Sequence, residues 1–302
     1  MPDFCCNWIL LPGERPGSVG DLLATALPRL GAHPIKHGPV RDVAKTLEVL
    51  RREKANCLVG IPTQVLALAR YSDGLKLKSA LLTTDHVPHA IARAVERAWG
   101  CEVYNHYGMT EMGLGGGVEC QARRGYHLRE ADLYFEIVYP TTGEPVADGE
   151  TGEVVFTTLT RRGMPLIRYR TGDLSRFAPG DCPCGTALKT LEGVRSRVSG
   201  YVAVGCGQYV TLADLDEAIF PLAGLLNFAA TITRAGKDCL NLEVSVVEGM
   251  ADNMVAAVDL ALESIPALRL ARATGALEIV VTVQAPGSIL ASPTKRMIKE
   301  LT

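Results

Sequence analysis

Ala80-Leu-Leu-Thr83, Pro88-His-Ala-Ile-Ala-Arg-Ala-Val-Glu-Arg-Ala-Trp99 and Glu102-Val-Tyr104 follow one another in the chain. The first is a short apolar run, the second has a helical pattern, and the third is again short and extended. A strand, a crossover helix and a second strand pair in parallel, and a parallel sheet needs both faces covered. The pattern repeats upstream: Trp8–Leu11 reads as a buried strand, Val19–Leu30 as a helix, Val40–Glu53 as an amphipathic helix and Cys57–Gly60 as a strand closed by Pro62. Residues 1–114 are therefore expected to be an α/β unit, with ligands at the carboxyl ends of its strands.

The texture changes downstream. Leu133-Tyr-Phe-Glu-Ile-Val138 and Gly152-Glu-Val-Val-Phe-Thr157 alternate between Gly, Pro and Asp turns, so residues 115–195 read as an antiparallel β subdomain. From about Val198, helices at Leu212–Phe220 and Met254–Ile265 and strands at Phe228–Ile232, Leu240–Val246 and Leu277–Val283 form a small α+β unit of ferredoxin-like texture. The expected division is 1–195 and 196–302.

The chain's 302 residues suit two or three packed units. A net charge of −2 leaves no footprint for nucleic acid or an anionic membrane. No apolar run approaches the ~20 residues of a membrane span, and the first residues lack the pattern of a signal peptide. A cytoplasmic location is expected. Nine cysteines, an odd number scattered over the chain, argue for thiols and a metal before disulfides.

Two segments carry the chemistry. Asn105-His-Tyr-Gly-Met-Thr-Glu111 follows a strand and offers an aromatic face at Tyr107, close backbone approach at Gly108, a hydroxyl at Thr110 and a carboxylate at Glu111 fit for magnesium. Alone it equally describes a strand-end turn. Met164-Pro-Leu-Ile-Arg-Tyr-Arg-Thr-Gly-Asp-Leu174 reads as a buried strand running into a tight turn, from which Asp173 can accept both hydroxyls of a ribose.

In this order, with Gly152-Glu-Val-Val-Phe-Thr-Thr158 between them, these segments resemble the nucleotide-binding motifs of the adenylate-forming superfamily. Glu119-Cys120, Tyr126-His127, the stretch 134–144 and Met164–Arg170 resemble its phenylacetate–coenzyme A ligase branch. The resemblance implies that a carboxylate is activated with ATP as an acyl-adenylate and passed to coenzyme A. It implies that Tyr107 stacks on adenine, Thr110 contacts the α-phosphate, Glu111 ligates magnesium and Asp173 holds the ribose. Asn105, His106, Gly108 and Met109 belong to the same motif, and Arg197 would reach the ribose or phosphate. His106 reads either as part of the acyl pocket or as hydrogen-bonded packing. Thr84 and Asp85 stand where the family wraps backbone around adenine, usually with a glycine in the turn. An aryl acid and coenzyme A are the implied small-molecule partners, and the C-terminal unit is the implied lid.

Cys120-x6-His127 and Cys182-Pro-Cys184-Gly form two close thiolate and imidazole pairs, a set suited to a closed structural zinc site. Cys5, Cys6, Cys57, Cys101, Cys206 and Cys239 are expected as buried small hydrophobes.

The chain departs from the family at three points. No Ser/Thr/Gly-rich phosphate loop ending in Lys occurs in it, so the competing expectations are a catalytically impaired protein that binds AMP or an acyl-adenylate without efficient turnover, and one half of a split enzyme whose partner chain supplies the loop. Ser196-Arg-Val-Ser-Gly200 lacks the usual hinge carboxylate. Lys295 is the nearest candidate for the adenylation lysine, with an alignment on Pro293 as the alternative. An incomplete N-terminal layer would expose apolar sheet surface and favour a homodimer.

Overall fold

The computed structural model describes residues 6–72, 74–235, 237–284 and 295–301. The chain divides into two compact units, one made of residues 1–103 with 201–302 and the other of residues 104–200.

The first unit begins with the expected alternation: β1 (Cys6–Leu10), α1 (Val19–Ala26), β2 (His33–Lys36), α2 (Val43–Arg52), β3 (Cys57–Gly60), α3 (Pro62–Tyr71), β4 (Ser79–Leu82), α4 (His89–Trp99) and the start of β5 (Glu102–Tyr107). The strands β4-β3-β1-β2 lie in that order and all pair in parallel. Ile91, Val95 and Trp99 recur every four residues on α4 and are wholly buried, and Gly100 ends the helix in a left-handed conformation at φ 64°. Asp42 caps α2 by accepting from the Lys45 amide at 3.0 Å, which starts the helix three residues later than its sequence pattern.

Three differences from expectation have local causes. Pro62 does not merely close a strand: it occupies the first turn of α3, where its missing amide hydrogen costs nothing, and nearly the whole helix is buried. The helix from Val19 is α-helical only to Ala26, and Pro28 continues it as a short 3-10 turn, Leu27–Leu30. Met254–Leu262 (α6) ends before Pro266, which starts a separate helix, Pro266–Ala273 (α7).

The second unit is antiparallel. It holds the end of β5, then β6 (Gly117–Glu119), β7 (Tyr126–Leu128), β8 (Leu133–Val138), β9 (Gly152–Thr158), β10 (Tyr169–Ser175), β11 (Thr190–Leu191) and β12 (Ser196–Arg197). One group runs β11-β7-β6-β5 and the other β12-β10-β9-β8. The expected buried strand at Met164–Arg168 is absent: Met164 is 77% and Ile167 78% exposed, and Met164 and Arg168 both have positive φ, so the strand starts only at Tyr169.

The chain then returns to the first unit through the hairpin β13 (Val202–Ala203) and β14 (Tyr209–Val210), α5 (Leu212–Ile219), β15 (Leu225–Ala235), β16 (Lys237–Val246), α6, α7, β17 (Leu277–Gln284) and β18 (Ile298–Leu301). Thr211 and Asp214 cap α5 reciprocally. The sheet order β17-β16-β15-β18 contains two parallel pairs, which a ferredoxin-like sheet does not. This α+β part shares one hydrophobic core with the α/β part: Arg70 donates to the carbonyls of Phe220 and Leu222 at 3.3 and 3.1 Å, and the His89 amide donates to Glu217 at 2.8 Å.

Cys57 and Cys101 are buried as expected, but Cys206 is exposed on the hairpin and Cys239 is half-buried. Cys5, the Cys6 side chain and Pro293 lie outside the described residues. Among the described residues no helix is long and apolar enough to cross a membrane.

Candidate functional site

Asp173 is presented by a bulge. Arg170 pairs with Val155 and Leu174 with Glu153, so three residues of β10 bulge opposite the single residue Val154 of β9. Gly172 lies in the middle at φ 74°, a conformation that favours glycine. The Glu153 carboxylate, 5% exposed, pairs with Arg170 and accepts the Gly172 amide at 3.0 Å. Thr171 donates to the Val154 carbonyl at 2.7 Å and accepts the Asp173 amide at 3.0 Å. The loop that looks free in sequence is thus fixed by hydrogen bonds on both sides.

Both carboxylate oxygens of Asp173 are oriented by the protein. Tyr107 donates its hydroxyl to Oδ2 at 2.9 Å, and Arg197 lies 2.9 Å from Oδ1 while donating to the Thr171 carbonyl at 2.6 Å. Arg197 is half-exposed and sits on β12, directly paired with Asp173. Burial first, and the charge of Asp173 second, push the Tyr107 phenol well above its ordinary range, so the hydroxyl remains a donor.

Tyr107 packs its ring against Tyr126 with centroids 5.6 Å apart. Tyr126 in turn accepts from the Asn105 side chain at 2.9 Å, and the Asn105 amide donates to Glu119 at 2.8 Å. Glu119, Tyr126, Glu153 and Thr171 were not singled out by sequence reasoning as site residues. Tyr126 shares the inward phase of Leu128 on β7, whereas Glu153 alternates with the core-facing Val154 and Phe156 and gave no such signal.

Beyond Tyr107 the backbone turns sharply. A Cβ at Gly108 would run into the carbonyl oxygen of Leu114, so that position admits glycine alone. Met109 packs on the second unit's core, Thr110 is exposed, and Glu111 is half-buried in a short 3-10 turn, Thr110–Met112. Among the described residues Glu111 has no ion-pair partner, which leaves its oxygens available. Burial and the Arg129 charge lower the basicity of His106, keeping its imidazole neutral.

The other expected residues lie in the first unit. Thr84 and Asp85 form the turn after the carboxyl end of β4, and Thr84 adopts a left-handed φ of 75°, the conformation a glycine would take without strain. Burial raises the Asp85 carboxyl, an effect opposed by the Arg296 charge. Lys295 is exposed, and its neighbour Arg296 forms a buried pair with Asp216 at 2.8 Å, over the rings of Phe220 and Phe228. Burial raises the Asp216 carboxyl to about 6 against the pull of Arg296.

Cys120, His127, Cys182 and Cys184 converge, with all four ligand atoms within 4.8 Å of one another. Cys120 Sγ lies 3.6 Å from Cys182 Sγ, and Cys184 Sγ lies 3.4 Å from His127 Nε2.

Residues 18–159 match the family model of the AMP-binding enzymes. The chain is 30% identical over 230 residues to the phenylacetate–coenzyme A ligase of Escherichia coli, a match covering 74% of this chain and 51% of that protein. It is 42% identical over 144 residues to the phenylacetate–coenzyme A ligase of Thermus thermophilus, covering 46% of this chain and 32% of that one. The chain thus spans about half, or less, of the curated relatives it matches. Its fold matches a 2-hydroxyisobutyryl–CoA ligase in complex with R3-HIB-AMP at a TM-score of 0.77 and 22% identity, covering 99% of this chain and 65% of that one. An anthranilate CoA ligase in complex with anthranoyl-AMP matches at a TM-score of 0.68 and 14% identity, covering 97% and 58%. Family match, relatives and fold agree with the resemblance read from the motifs.

Proposed function

We propose that this chain carries the adenylate-binding site of an AMP-forming acyl–coenzyme A ligase acting on a small, preferably aryl, carboxylic acid. The observation that carries the reading is the Tyr107–Asp173–Arg197 cluster, in which two motif residues distant in sequence meet at hydrogen-bonding distance. Support comes also from the relatives named phenylacetate–coenzyme A ligase.

In this reading the acid's carboxylate oxygen bonds to the α-phosphorus of ATP as the bond to pyrophosphate breaks. The thiol of coenzyme A then bonds to the acyl carbon, and AMP leaves. Asp173 keeps a lone pair on each oxygen for a ribose hydroxyl, held in place by Tyr107 and Arg197. Tyr107 offers the remaining ring face to adenine, and Asn105, His106, Gly108 and Met109 shape that pocket. Thr110 donates to the α-phosphate. Glu111, a hard oxygen donor in an open turn, would be the residue that holds a magnesium ion. That ion, when bound, neutralises phosphate charge. Thr84 and Asp85 as nucleotide contacts, Lys295 as the adenylation lysine and the division into a 1–195 domain and a 196–302 lid belong to the same reading. So do a zinc ion on the Cys120 cluster and, from the use of ATP and coenzyme A, a cytoplasmic location.

The test supplies synthetic phenylacetyl-adenylate and coenzyme A and follows thioester formation. Acceleration that falls at least tenfold in Asp173→Asn is expected. Adenylate binding without thioester formation would favour a binding protein, and no binding would refute the site.

A further inference from the structure

The four-residue cluster of Cys120, His127, Cys182 and Cys184 does more than bring thiols together. We propose that it is a closed, four-coordinate zinc centre that clamps β6, β7 and the 182–184 turn, and through them positions Asn105 and Tyr107.

The donor set fits the ion. Around a tetrahedral zinc with bonds of about 2.3 Å to sulfur and 2.0–2.1 Å to nitrogen, sulfurs lie about 3.8 Å apart and sulfur and nitrogen about 3.6 Å apart. The separations of 3.6 and 3.4 Å found here are within a few tenths of those values. A disulfide, with sulfurs at about 2.05 Å, does not describe the Cys120–Cys182 contact. His127 turns Nε2 to the thiols and places Nδ1 3.2 Å from the Thr190 hydroxyl, the second partner that fixes a ligating imidazole. The Ala122 amide donates to Cys120 Sγ at 3.3 Å, which fixes where that sulfur points. With three sulfurs and a nitrogen no coordination position stays open, so the ion is structural.

The ligands are contiguous with the residues that hold the site. Cys120 follows Glu119, which accepts the Asn105 amide, and His127 follows Tyr126, which accepts the Asn105 side chain and stacks on Tyr107. Glu119 and Tyr126 also face each other across β6 and β7, and His127 pairs with Thr190 across β7 and β11. The strands here are only two or three residues long, too short to hold their register by backbone pairing alone. A metal clamp supplies the missing constraint.

The experiment uses the whole chain purified without chelators. Elemental analysis is expected to give one zinc per chain, and exchange with cobalt(II) is expected to give the intense sulfur-to-cobalt absorption of a tetrahedral thiolate site. Cys182→Ser should lose the metal, while the buried Cys101→Ser control keeps it. Chelation and zinc replenishment of the wild-type chain, with far-ultraviolet circular dichroism confirming the fold, should reversibly speed hydrogen exchange of the Asn105–Tyr107 amides. AMP affinity should fall about tenfold or more in the same cycle. No zinc and no cobalt uptake, or a Cys120–Cys182 disulfide in fresh protein, would overturn the centre. Metal loss that leaves those amides unchanged would overturn the positioning role. The nucleotide role of Tyr107 rests on the ligase reading, and a zinc-bound chain that does not bind AMP would fail that reading while the exchange data still decide the clamp.

Discussion

The Tyr107 hydroxyl donates to Asp173 Oδ2 at 2.9 Å across a sequence separation of 66 positions. This contact links the end of β5 to the β10 bulge within one compact unit. Removing the carboxylate charge with Asp173→Asn should weaken AMP binding by about 1.5–3 kcal/mol, the range for a hydrogen bond to a charged group. Tyr107→Phe should cost less, because Arg197 still orients Asp173. Calorimetric titration of both variants with AMP checks the order.

Glu153 is the residue on which the bulge depends. It accepts the Gly172 amide and pairs with Arg170 from a nearly inaccessible position. Glu153→Ala should destabilise the chain by about 1–3 kcal/mol, since it removes the acceptor of the half-buried Gly172 amide. Urea unfolding gives the value, and Arg170→Ala, at the exposed end of the pair, should cost less.

Thr84 carries backbone strain. A β-branched residue at φ 75° is disfavoured by about 1–2 kcal/mol. Thr84→Gly relieves that strain but adds chain entropy to the unfolded state, so a net gain of up to about 1 kcal/mol is expected. A lower melting temperature for the variant would show that the Thr84 side chain contributes to the fold.

Asp216 makes the chain's stability depend on pH. Its carboxyl titrates near 6 in the fold and near 3.8 when unfolded. The folded chain therefore holds the proton more tightly, and stability from this group is full below about pH 4 and is lost as pH rises to about 6. Arg296, Glu217 and Asp85 are the charged groups around it, and the raised Asp85 carboxyl acts in the same direction. The loss is on the order of 1–3 kcal/mol. Asp216→Asn should flatten the change in melting temperature between pH 4.5 and pH 7, and an unchanged slope would exclude Asp216 as its source.

The α/β alternation was legible because each crossover unit is written in consecutive residues, such as Ser79–Leu82, α4 and Glu102–Tyr107. Elements whose ends depend on a proline's exact role were less so, and Pro62 and Pro266 start helices that their surroundings disguise. The Met164–Arg168 run is apolar in text but exposed, because apolarity alone cannot say which face has a partner. The motif residues Tyr107, Asp173 and Arg197 were legible as a set, and so was the cysteine cluster. Their supports were not: Glu153 and Tyr126 act through cross-strand neighbours, and register is invisible until strands pair.

AMP titrated calorimetrically into the wild-type chain and into Asp173→Asn, side by side at one ionic strength, decides whether this cluster is a nucleotide site. The expected result is one AMP bound per chain, with affinity at least tenfold weaker in the variant. Equal affinities in both proteins, or no heat from the folded wild-type chain, would contradict it.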